Sequence, residues 1–419
     1  MPRLEASNDF FIRTSDPRHE KRVQEVLTAV YEAGHVYKGV YEGWYCPRCA
    51  DFKTEAEAGP DHTCPIHGIP LDWEREENWF FRLSTFQEPL EKLLAEDSDF
   101  VQPRERRNEA RAFVAQGLQD ISLTRARLRW GIPVPWDEGQ VFYVWFDALL
   151  NYYTALAFAR DGHDATPEFW PASYHLIGKD ILKFHTIFWP AMLMAAGIEL
   201  PEHVFVHGFL LGGDGRKMSK SLGNVLDPFQ VIDELGTDAL RFYLLRDVAF
   251  GEDGATSMDA VRSRYETELA NELGNLASRT TNMVRRYRDG QVPEVELDAA
   301  LAADFAGLSG RVGELVGRAS LTAALEEIWQ RVRRLNRYVE EQAPWQLAKD
   351  PERAADLDRA LASLAEGVRV VGLHLLAYMP SAMSRLLEAM GERGQELRDF
   401  GAGGGGGSVQ QLEPLFPKR

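Results

Sequence analysis

The spacing of hydrophobic positions divides the chain into a mixed first part and a helical last part. Over residues 19–33 hydrophobic side chains recur every three or four positions, which predicts an amphipathic helix. Residues 37–45 are rich in aromatic side chains that alternate with polar ones, which predicts a strand. Residues 258–398 are helical in pattern throughout, and a stripe from Leu357 to Val371 has spacings of 4, 3, 4 and 3. We therefore expect an antiparallel helical bundle in the last part.

Between these parts, short apolar runs alternate with helical patterns. The runs at residues 141–146, 174–177 and 203–210 predict buried parallel strands. We expect helices after the first two, through about residue 157 and from 180 to about 196. This order predicts part of a Rossmann-type parallel sheet. The fold class is thus α/β plus all-α.

Composition and charge mainly exclude classes of protein. The chain is 45% hydrophobic and 26% charged, which is typical of a globular protein. Its net charge of −17 disfavours a basic coat for nucleic acid over the whole surface, but allows a local basic face. The longest apolar runs, at residues 191–198 and 370–379, are too short for a membrane span. Because the N-terminus has no apolar signal core, we expect a cytoplasmic protein.

All three cysteines belong to one pattern, Cys46-x2-Cys49-x14-Cys64-x2-His67. Residues 46–70 lack long periodicity, and such a small module needs a staple. Two knuckles with four soft ligands favour one structural zinc ion per chain, because four ligands close its coordination shell. The alternative is a reduced thiol pair with a chance histidine.

The Gly-rich segment at residues 212–224 carries the other candidate chemistry. Lys217 and Lys220 on a hinged loop suit a polyphosphate whose charge grows as a bond to phosphorus breaks. The segment is not a Walker loop, because the Gly-Lys-Ser/Thr ending is absent. The alternative for any lysine-rich loop is a solvated basic turn.

The motifs together resemble one family. Residues 217–221 read KMSKS, a signature of class I aminoacyl-tRNA synthetases. With the knuckle insertion and the segments YVWFDA (143–148), HLIGKDI (175–181), NLASR (275–279) and EQAPW (341–345), the chain resembles the methionyl-tRNA synthetases over essentially its whole length. The resemblance implies ATP-dependent activation of L-methionine, with Mg²⁺ accompanying ATP, and transfer of methionine to methionine tRNA.

The resemblance also implies roles for matched residues. The implied methionine-binding residues are Trp145, Ala148, Tyr152, Ile181 and His185. The implied ATP-binding residues are Gly178, Lys179, Asp180, Lys217, Met218, Ser219, Lys220 and Ser221, of which Lys217 and Lys220 would stabilise the transition state. The implied anticodon-binding residues are Asn275, Arg279, Pro344 and Trp345. Phosphate contacts are expected from Arg331, Arg333, Arg334 and Arg337, with Arg285, Arg286 and Arg288 as further candidates. For the pocket side chains the alternative is plain core, and for the arginines a solvated helix face.

By this resemblance the chain has five regions. They are residues 1–36, the remnant of a first Rossmann half; 37–131, a connective insertion with the zinc knuckle; 132–257, the second Rossmann half with the signature loop; 258–400, an anticodon-binding helical bundle; and 401–419, a Gly-rich linker and C-terminal strap. We expect a monomer that does not contact a membrane.

The sequence departs from the family pattern in one respect. No His-x-Gly-His motif, the family's other catalytic signature, is found in it. We therefore expect this chain to be inactive alone, since one lost transition-state donor lowers a rate by about 10²–10³. Three interpretations are open: a piece of a longer protein, one chain of a split synthetase, or a non-catalytic tRNA-binding module.

Overall fold

The computed structural model describes residues 2–48, 51–53, 55–218, 223–392, 394, 396–402 and 406–418, with the backbone only at 51, 52 and 56. The chain forms two compact units. One is Asn8–Val206, and the other joins Met1–Ser7 to His207–Arg419. In the described residues, no helix combines the length and the apolar character that crossing a membrane requires.

The unit Asn8–Val206 mixes helices and strands. Its helices are α1 (Pro17–Glu32), α2 (Glu55–Ala58), α3 (Gln87–Leu93), α4 (Arg104–Val114), α5 (Val144–Thr154), α6 (Thr166–Phe169) and α7 (Trp189–Ala195), with 3₁₀ turns at Leu83–Phe86, Ala155–Ala157 and Lys179–Ile181 and a π-helical turn at Phe184–Phe188. Its strands are β1 (Val36–Cys46), β2 (Asp51–Lys53), β3 (Asp72–Phe81), β4 (Val101–Gln102), β5 (Ile121–Ser122), β6 (Thr124–Arg125), β7 (Pro133–Val134), β8 (Asp137–Phe142), β9 (Tyr174–Gly178) and β10 (His203–His207).

Helix α1 confirms the amphipathic pattern. The Asp16 carboxylate accepts a hydrogen bond from the backbone N–H of Arg18 at 2.9 Å, and Pro17 opens the first turn. On the inner face, Val23, Leu27 and Val30 are fully buried. The helix therefore has a fixed start and one side that belongs to the core of this unit.

A long hairpin sets the place of the cysteine module. Strands β1 and β3 pair antiparallel from Val36 opposite Phe81 to Tyr45 opposite Asp72. Since β1 ends at Cys46 and β3 begins at Asp72, the residues between them lie at the far end of the hairpin. The predicted strand at 37–45 is confirmed.

The predicted strand at residues 141–146 is wrong in its second half. Strand β8 ends at Phe142 and helix α5 begins at Val144, with Tyr143 at φ −65° and ψ 132° between them. Strand β8 also pairs antiparallel with β6 and β7, so it does not belong to a parallel sheet. A short apolar run fits a buried strand or a buried helix equally well, and periodicity alone does not separate them.

A three-stranded sheet has the order β4-β10-β9 in the described residues. Val204 of β10 lies opposite Val101 of β4 in parallel register. The strand predicted at 174–177 is present as β9, whereas the one predicted at 203–210 ends at His207. The helix predicted over 180–196 is divided into the 3₁₀ turn, the π-helical turn and α7. Strand β4 is only two residues long, and its sequence gives no periodic signal.

The other unit is mainly helical. Its strands are β11 (Leu210–Gly212) and β12 (Gly254–Thr256), and its helices are α8 (Pro228–Leu235), α9 (Thr237–Arg246), α10 (Met258–Arg264), α11 (Asn275–Arg288), α12 (Ala299–Phe305), α13 (Leu308–Gly317), α14 (Leu321–Gln342), α15 (Pro344–Leu347), α16 (Ala354–Leu375) and α17 (Pro380–Ala389), with 3₁₀ turns at Pro2–Leu4 and Pro351–Arg353 and a π-helical segment at Tyr265–Gly274. The helices predicted after residue 258 are confirmed.

The bundle core forms around α14 and α16. The stripe from Leu357 to Val371 is buried along α16, as its spacing predicted. Gly367 allows α14 to approach closely, because a Cβ atom there would collide with the side chain of Leu335. Trp329 is fully buried and donates from Nε1 to the Glu272 carboxylate at 2.7 Å.

The C-terminal segment packs on this unit. In the linker and strap predicted at 401–419, Leu415 and Phe416 are buried, and the Tyr265 hydroxyl donates to the Pro417 carbonyl at 2.9 Å. Residues 403–405 and 419 of this region lie outside the described residues.

Candidate functional site

Two helical segments bring Tyr152 and His185 together. Tyr152 lies on α5, and His185 lies on the π-helical turn that follows β9. The Tyr152 hydroxyl and His185 Nε2 are 2.9 Å apart. His185 is buried, and Tyr152 is partly buried.

The second ring nitrogen of His185 decides the direction of this hydrogen bond. Nδ1 lies 3.0 Å from the carbonyl oxygen of Ile181, which can only accept, so Nδ1 carries the proton. Nε2 of the neutral ring must then accept from the Tyr152 hydroxyl. Burial lowers the pKa of His185, although the Ile181 carbonyl offsets part of this effect. Burial likewise raises the pKa of Tyr152, so both groups are kept neutral.

An aromatic stack lies near this pair. The rings of Trp145 and Phe184 are parallel to within 14°, with centroids 3.8 Å apart. Ala148 lies between Trp145 and Tyr152 on α5 and is partly exposed. The five predicted methionine-binding residues therefore come from two adjoining segments, α5 and the turns that follow β9.

Gly178, Lys179 and Asp180 lie where strand β9 ends and a 3₁₀ turn begins. Gly178 is extended, with φ −77° and ψ 152°, and Asp180 is exposed. The carboxyl end of a strand in a parallel sheet is where nucleotides commonly bind. The position is as predicted, while a contact with ATP stays a prediction.

The described part of the cysteine pattern forms a compact donor cluster. Nδ1 of His67 lies 3.8 Å from the Cys46 sulfur and 3.7 Å from the Cys64 sulfur. These separations fit ligands of one tetrahedral zinc ion, for which bond lengths of about 2.1 and 2.3 Å imply about 3.6 Å between nitrogen and sulfur. Both sulfurs are buried, and His67 is exposed. The fourth predicted ligand, Cys49, lies outside the described residues.

A tight turn shapes the Cys64 knuckle. The backbone N–H of Cys64 donates to the Ile69 carbonyl, and that of Gly68 donates to the Cys64 carbonyl, both at 2.8 Å. Gly68 has φ +63°, a conformation that favours glycine. Burial raises the pKa of the Cys64 thiol, but hydrogen bonds from the backbone N–H groups of His67 and Ile66, together with those of the Cys46 and His67 side chains, lower the pKa to about 6. A thiolate at neutral pH is the form that binds a metal.

The signature loop follows strand β11. Gly215 has φ +73° and donates to the Gly212 carbonyl, while Gly212 donates to the Arg216 carbonyl, both at 2.8 Å. Lys217 Nζ lies 5.6 Å from the ring centroid of Phe209. Met218 is described, whereas Ser219, Lys220 and Ser221 lie outside the described residues.

Asp214 fixes the entry to this loop. Its carboxylate accepts from the Arg216 backbone N–H at 3.0 Å and from the Arg216 guanidinium at 2.8 Å. These bonds, the backbone one first, lower the pKa of Asp214. The turn before Lys217 is therefore structurally defined.

A second cluster lies on the helical bundle. The guanidinium of Arg279, on α11, lies 5.5 Å from the ring centroid of Trp345 and donates to Glu340 at 2.7 Å. Asn275 is exposed at the start of α11. Pro344 and Trp345 follow Ala343, whose left-handed conformation (φ +41°) separates α14 from α15. The structure thus brings Arg279 and Trp345 together.

Most arginines predicted to contact phosphate are engaged in ion pairs. Arg334 contacts Asp304 at 2.6 Å and Glu341 at 3.1 Å. Arg331 pairs with Glu327, Arg333 with Glu326 and Arg288 with Asp358. Arg285, Arg286 and Arg337 are exposed, and within the described ranges they form no ion pair. The last three are the arginines available for phosphate without exchanging a partner.

Comparisons with known proteins identify the family. The sequence profile described as "tRNA synthetases class I (M)" matches residues 1–70 and 55–281. The methionine–tRNA ligase of Rhizobium meliloti is 42% identical over 99% of this chain and 82% of its own length. The chain belongs to the methionyl-tRNA synthetase family.

Other members of the family agree with this assignment. The methionine–tRNA ligase of Caldanaerobacter subterraneus subsp. tengcongensis is 44% identical over 99% of this chain, which spans 66% of that relative's length. A solved structure of Mycobacterium tuberculosis methionyl-tRNA synthetase bound by methionyl-adenylate aligns with a TM-score of 0.90 and 39% identity, covering 99% of this chain and 84% of that one. The class I synthetase fold, with mixed sheets and many helices, is confirmed.

The structure adds buried polar residues that sequence patterns missed. His19 of α1 is fully buried, with Nδ1 2.6 Å from the Thr154 hydroxyl and Nε2 2.8 Å from the Asp147 carboxylate. Because a carboxylate only accepts, Nε2 donates to Asp147, while Nδ1 shares a hydrogen bond with the Thr154 hydroxyl. His19 therefore links α1 to both ends of α5. Asp147 lies within the YVWFDA segment, but no local pattern indicates its distant partner.

A second missed group lies behind Tyr152. The His175 ring centroid is 4.3 Å from that of Tyr152, and His175 Nε2 accepts from Trp189 Nε1 at 3.1 Å. Burial, and next the charge that His185 would carry, lower the pKa of His175 to about 4. Trp189 is fully buried. The hydrogen-bonded rings form a water-poor support for the Tyr152–His185 pair.

Proposed function

We propose that this chain carries out methionine–tRNA ligase chemistry as part of a methionyl-tRNA synthetase. The observation that carries this proposal is the Tyr152–His185 pair beside the Trp145–Phe184 stack, in a chain of this family. The site joins aromatic surface to one fixed polar corner. Such a site suits an unbranched thioether, which packs against aromatic rings.

Methionine is selected by fit and by the polar corner together. Trp145, Ala148 and Ile181 offer apolar contact for the side chain, where one methylene changes binding by about 1–3 kcal/mol. The Tyr152 hydroxyl donates to His185, which fixes the polar corner beside these apolar contacts.

Activation requires charge neutralisation more than covalent catalysis. The methionine carboxylate oxygen attacks the α-phosphorus of ATP, a new O–P bond forms, and the bond to the bridging oxygen breaks as pyrophosphate leaves. Lys217 and Lys220 stabilise the charge on the departing phosphates, together with Met218, Ser219 and Ser221 of the loop. Gly178, Lys179 and Asp180 hold the adenosine part, and Mg²⁺ accompanies ATP when it is bound.

The methionyl group is then transferred to methionine tRNA, whose anticodon is read on the bundle. Trp345 offers a ring on which an unpaired base can stack, while Arg279 and Asn275 can reach the base edge. Pro344 fixes the turn that presents Trp345. The short distance between Arg279 and Trp345 supports this assignment.

Zinc in the knuckle is part of the proposal. Two buried sulfurs and an imidazole nitrogen at ligand spacing fit zinc better than magnesium or calcium, which prefer oxygen. Cys49 supplies the fourth ligand. We expect one zinc per chain by atomic absorption and its loss in Cys46→Ser or Cys64→Ser. Carefully prepared protein without zinc would contradict this.

Three expectations remain predictions from the sequence. Two of them are the monomeric state and the cytoplasmic location. Inactivity of this chain alone is a third, because His-x-Gly-His is absent from the sequence. ATP–pyrophosphate exchange with methionine checks it, and we expect no exchange above background. Clear exchange would mean that the missing motif is dispensable.

Binding of tRNA tests the function in the chain as it stands. We expect methionine tRNA to bind more tightly than the same transcript with an altered anticodon. Trp345→Ala should weaken the cognate complex about 5- to 150-fold, from the value of one stacked base. Trp73→Ala is the matched control, because Trp73 is 57% exposed on β3, in the unit that does not contain the bundle. Equal binding of both transcripts would contradict the proposal.

A further inference from the structure

Phe209 lies directly before strand β11, at the start of the chain segment that leads to the signature loop. Its side chain is partly buried, and its ring centroid lies 5.6 Å from Lys217 Nζ, within the range of a cation–π contact. Lys217 itself is exposed, and Asp214, the acid nearest to it in sequence, is paired with Arg216. Phe209 therefore offers an aromatic face to the Lys217 ammonium.

The backbone of Phe209 is fixed by the segment that leads into strand β12. Its N–H donates to the Asp253 carboxylate at 2.8 Å, and its carbonyl accepts from the Gly254 N–H at 3.0 Å. The pattern continues as the parallel pairing of β11 with β12. Gly208 allows this close approach, because a Cβ atom there would collide with the backbone of Glu252. The place of the Phe209 ring is thus set by strand pairing.

Strand β12 is in turn anchored in the core of this unit. Its last residue, Thr256, is buried and lies opposite Gly212 at the end of β11. The hydroxyl of Thr256 is hydrogen-bonded at 2.8 Å to that of Tyr243, a buried residue of α9. Burial raises the pKa of Tyr243 to about 12, so this anchor stays neutral. It limits the movement of β11 and hence of Phe209.

The backbone of Lys217 is held by contacts of its own. Leu211 and Lys217 form an antiparallel bridge, and the Asn224 side-chain amide donates to the Lys217 carbonyl at 3.4 Å. Asn224 also donates to the Asp214 carboxylate at 3.3 Å. The ring of Phe209 and the backbone of Lys217 are therefore fixed separately. Only the long lysine side chain between them is free to choose a direction.

We propose that Phe209 is a positioning residue for Lys217. The ring holds the ammonium before ATP binds, so fewer side-chain conformations are lost when Lys217 meets the phosphates. Phe209 does not touch the reacting atoms in this role and acts through the lysine. This inference rests on the proposed function, in which Lys217 stabilises the charge on the departing phosphates. The alternative is a purely structural Phe209 whose contact with Lys217 is incidental.

Acetylation rates of individual lysines test the contact without any ligand. A protonated amine does not react with N-hydroxysuccinimide acetate, so a ring that stabilises the ammonium slows the reaction. In Phe209→Leu, Lys217 should be acetylated about 2- to 5-fold faster at pH 8, the value of one exposed cation–π contact. Phe209→Tyr keeps the ring and should restore the slow rate. Mass spectrometry measures the rates, with the exposed Lys349 of the same unit as reference.

A double-mutant cycle tests the role in phosphate binding. The probe is inorganic tripolyphosphate with Mg²⁺, titrated into the whole chain by isothermal calorimetry. Phe209→Leu should weaken binding about 2- to 5-fold when Lys217 is present and should have no effect in the Lys217→Gln background. A purely structural effect of Phe209 would persist in that background.

A matched variant and the fold control make the result specific. Phe229 is 48% exposed in the same unit, and its ring contacts Arg3. Phe229→Leu makes the same chemical change and should alter neither the acetylation of Lys217 nor the binding of tripolyphosphate. Leucine is apolar and close to phenylalanine in size, so circular dichroism should show an unchanged fold in Phe209→Leu.

The possible outcomes separate the two proposals. If Lys217→Gln weakens tripolyphosphate binding and Phe209→Leu does not, this inference fails and the proposed function stands. If tripolyphosphate does not bind, or if Lys217→Gln leaves binding unchanged, both the role of Lys217 and this inference fail. An unchanged acetylation rate of Lys217 in Phe209→Leu, or an equal change in Phe229→Leu, would also overturn the inference.

Discussion

The proposed methionine pocket and the proposed anticodon face differ in how far their side chains are already in place before a ligand binds. In the pocket, buried rings hydrogen-bond to one another, as in the Tyr152–His185 and His175–Trp189 pairs. On the bundle, partly buried arginines pair with carboxylates, as in Arg334 with Asp304. A small apolar ligand thus meets a geometry that is set in advance. An RNA loop meets arginines of which several, such as Arg334, must first exchange partners.

The difference predicts that stability is concentrated in the pocket. Trp189→Ala should lower the free energy of unfolding by about 3–5 kcal/mol, because it opens a cavity and leaves His175 without its donor. Urea denaturation followed by circular dichroism measures this. If Trp189→Ala lowers the free energy of unfolding by less than about 1 kcal/mol, the contrast between pocket and bundle is wrong, since the hydrogen-bonded rings would then not be a rigid support.

A pH series sharpens the same contrast. The pKa of His175 is about 4 in the folded chain against an ordinary value of 6.5, so the unfolded chain binds more protons between these values. The free energy of unfolding should therefore fall as the pH drops from 6.5 towards 4, by roughly 2 kcal/mol at pH 5 from this group. The lowered pKa of His185 acts in the same direction.

Urea unfolding at pH 7 and pH 5 measures the effect, and His175→Gln is the control. Glutamine does not titrate, and it can still accept from Trp189. The variant should show a smaller loss of stability between the two pH values. An identical loss in the variant would place the titrating group elsewhere.

The smallest expected effect lies on the bundle. Asp304→Asn removes the negative charge that pairs with Arg334. A surface ion pair stabilises by about 0.2–1 kcal/mol. Binding of an isolated anticodon stem-loop should therefore tighten about 1.4- to 5-fold, with little change in the free energy of unfolding. Anisotropy titrations at low and high salt measure this. Weaker binding would show that the ion pair positions Arg334 for RNA and does not restrain it.

The local sequence pattern was enough to predict those elements whose buried residues recur periodically along the chain. The inner face of α1 and the stripe from Leu357 to Val371 are buried as their spacing predicts. The separations within the Cys46, Cys64 and His67 cluster likewise agree with the ligand spacing in the sequence. For the two helices, the determining interactions recur every few residues.

The features that the sequence pattern did not predict depend on residues that are far apart in the chain. Residues 141–146 have no periodicity that separates strand from helix, and the turn at Tyr143 is settled by the surrounding fold. His19 and Asp147 are 128 positions apart, so neither predicts the other. The ion pairs of the bundle arginines are equally invisible in sequence, which is why Arg331 and Arg334 could be expected to face phosphate.

The left-handed conformation of Ala343 affects both the stability of the fold and the orientation of Trp345. An alanine in that conformation is disfavoured by roughly 1–2 kcal/mol, and a glycine would remove this strain. Glycine would also let the short link between α14 and α15 sample many more directions. The strained alanine slightly lowers the stability of the fold but restricts the orientations of Trp345. Less conformational entropy is therefore lost when the indole stacks on the proposed unpaired base.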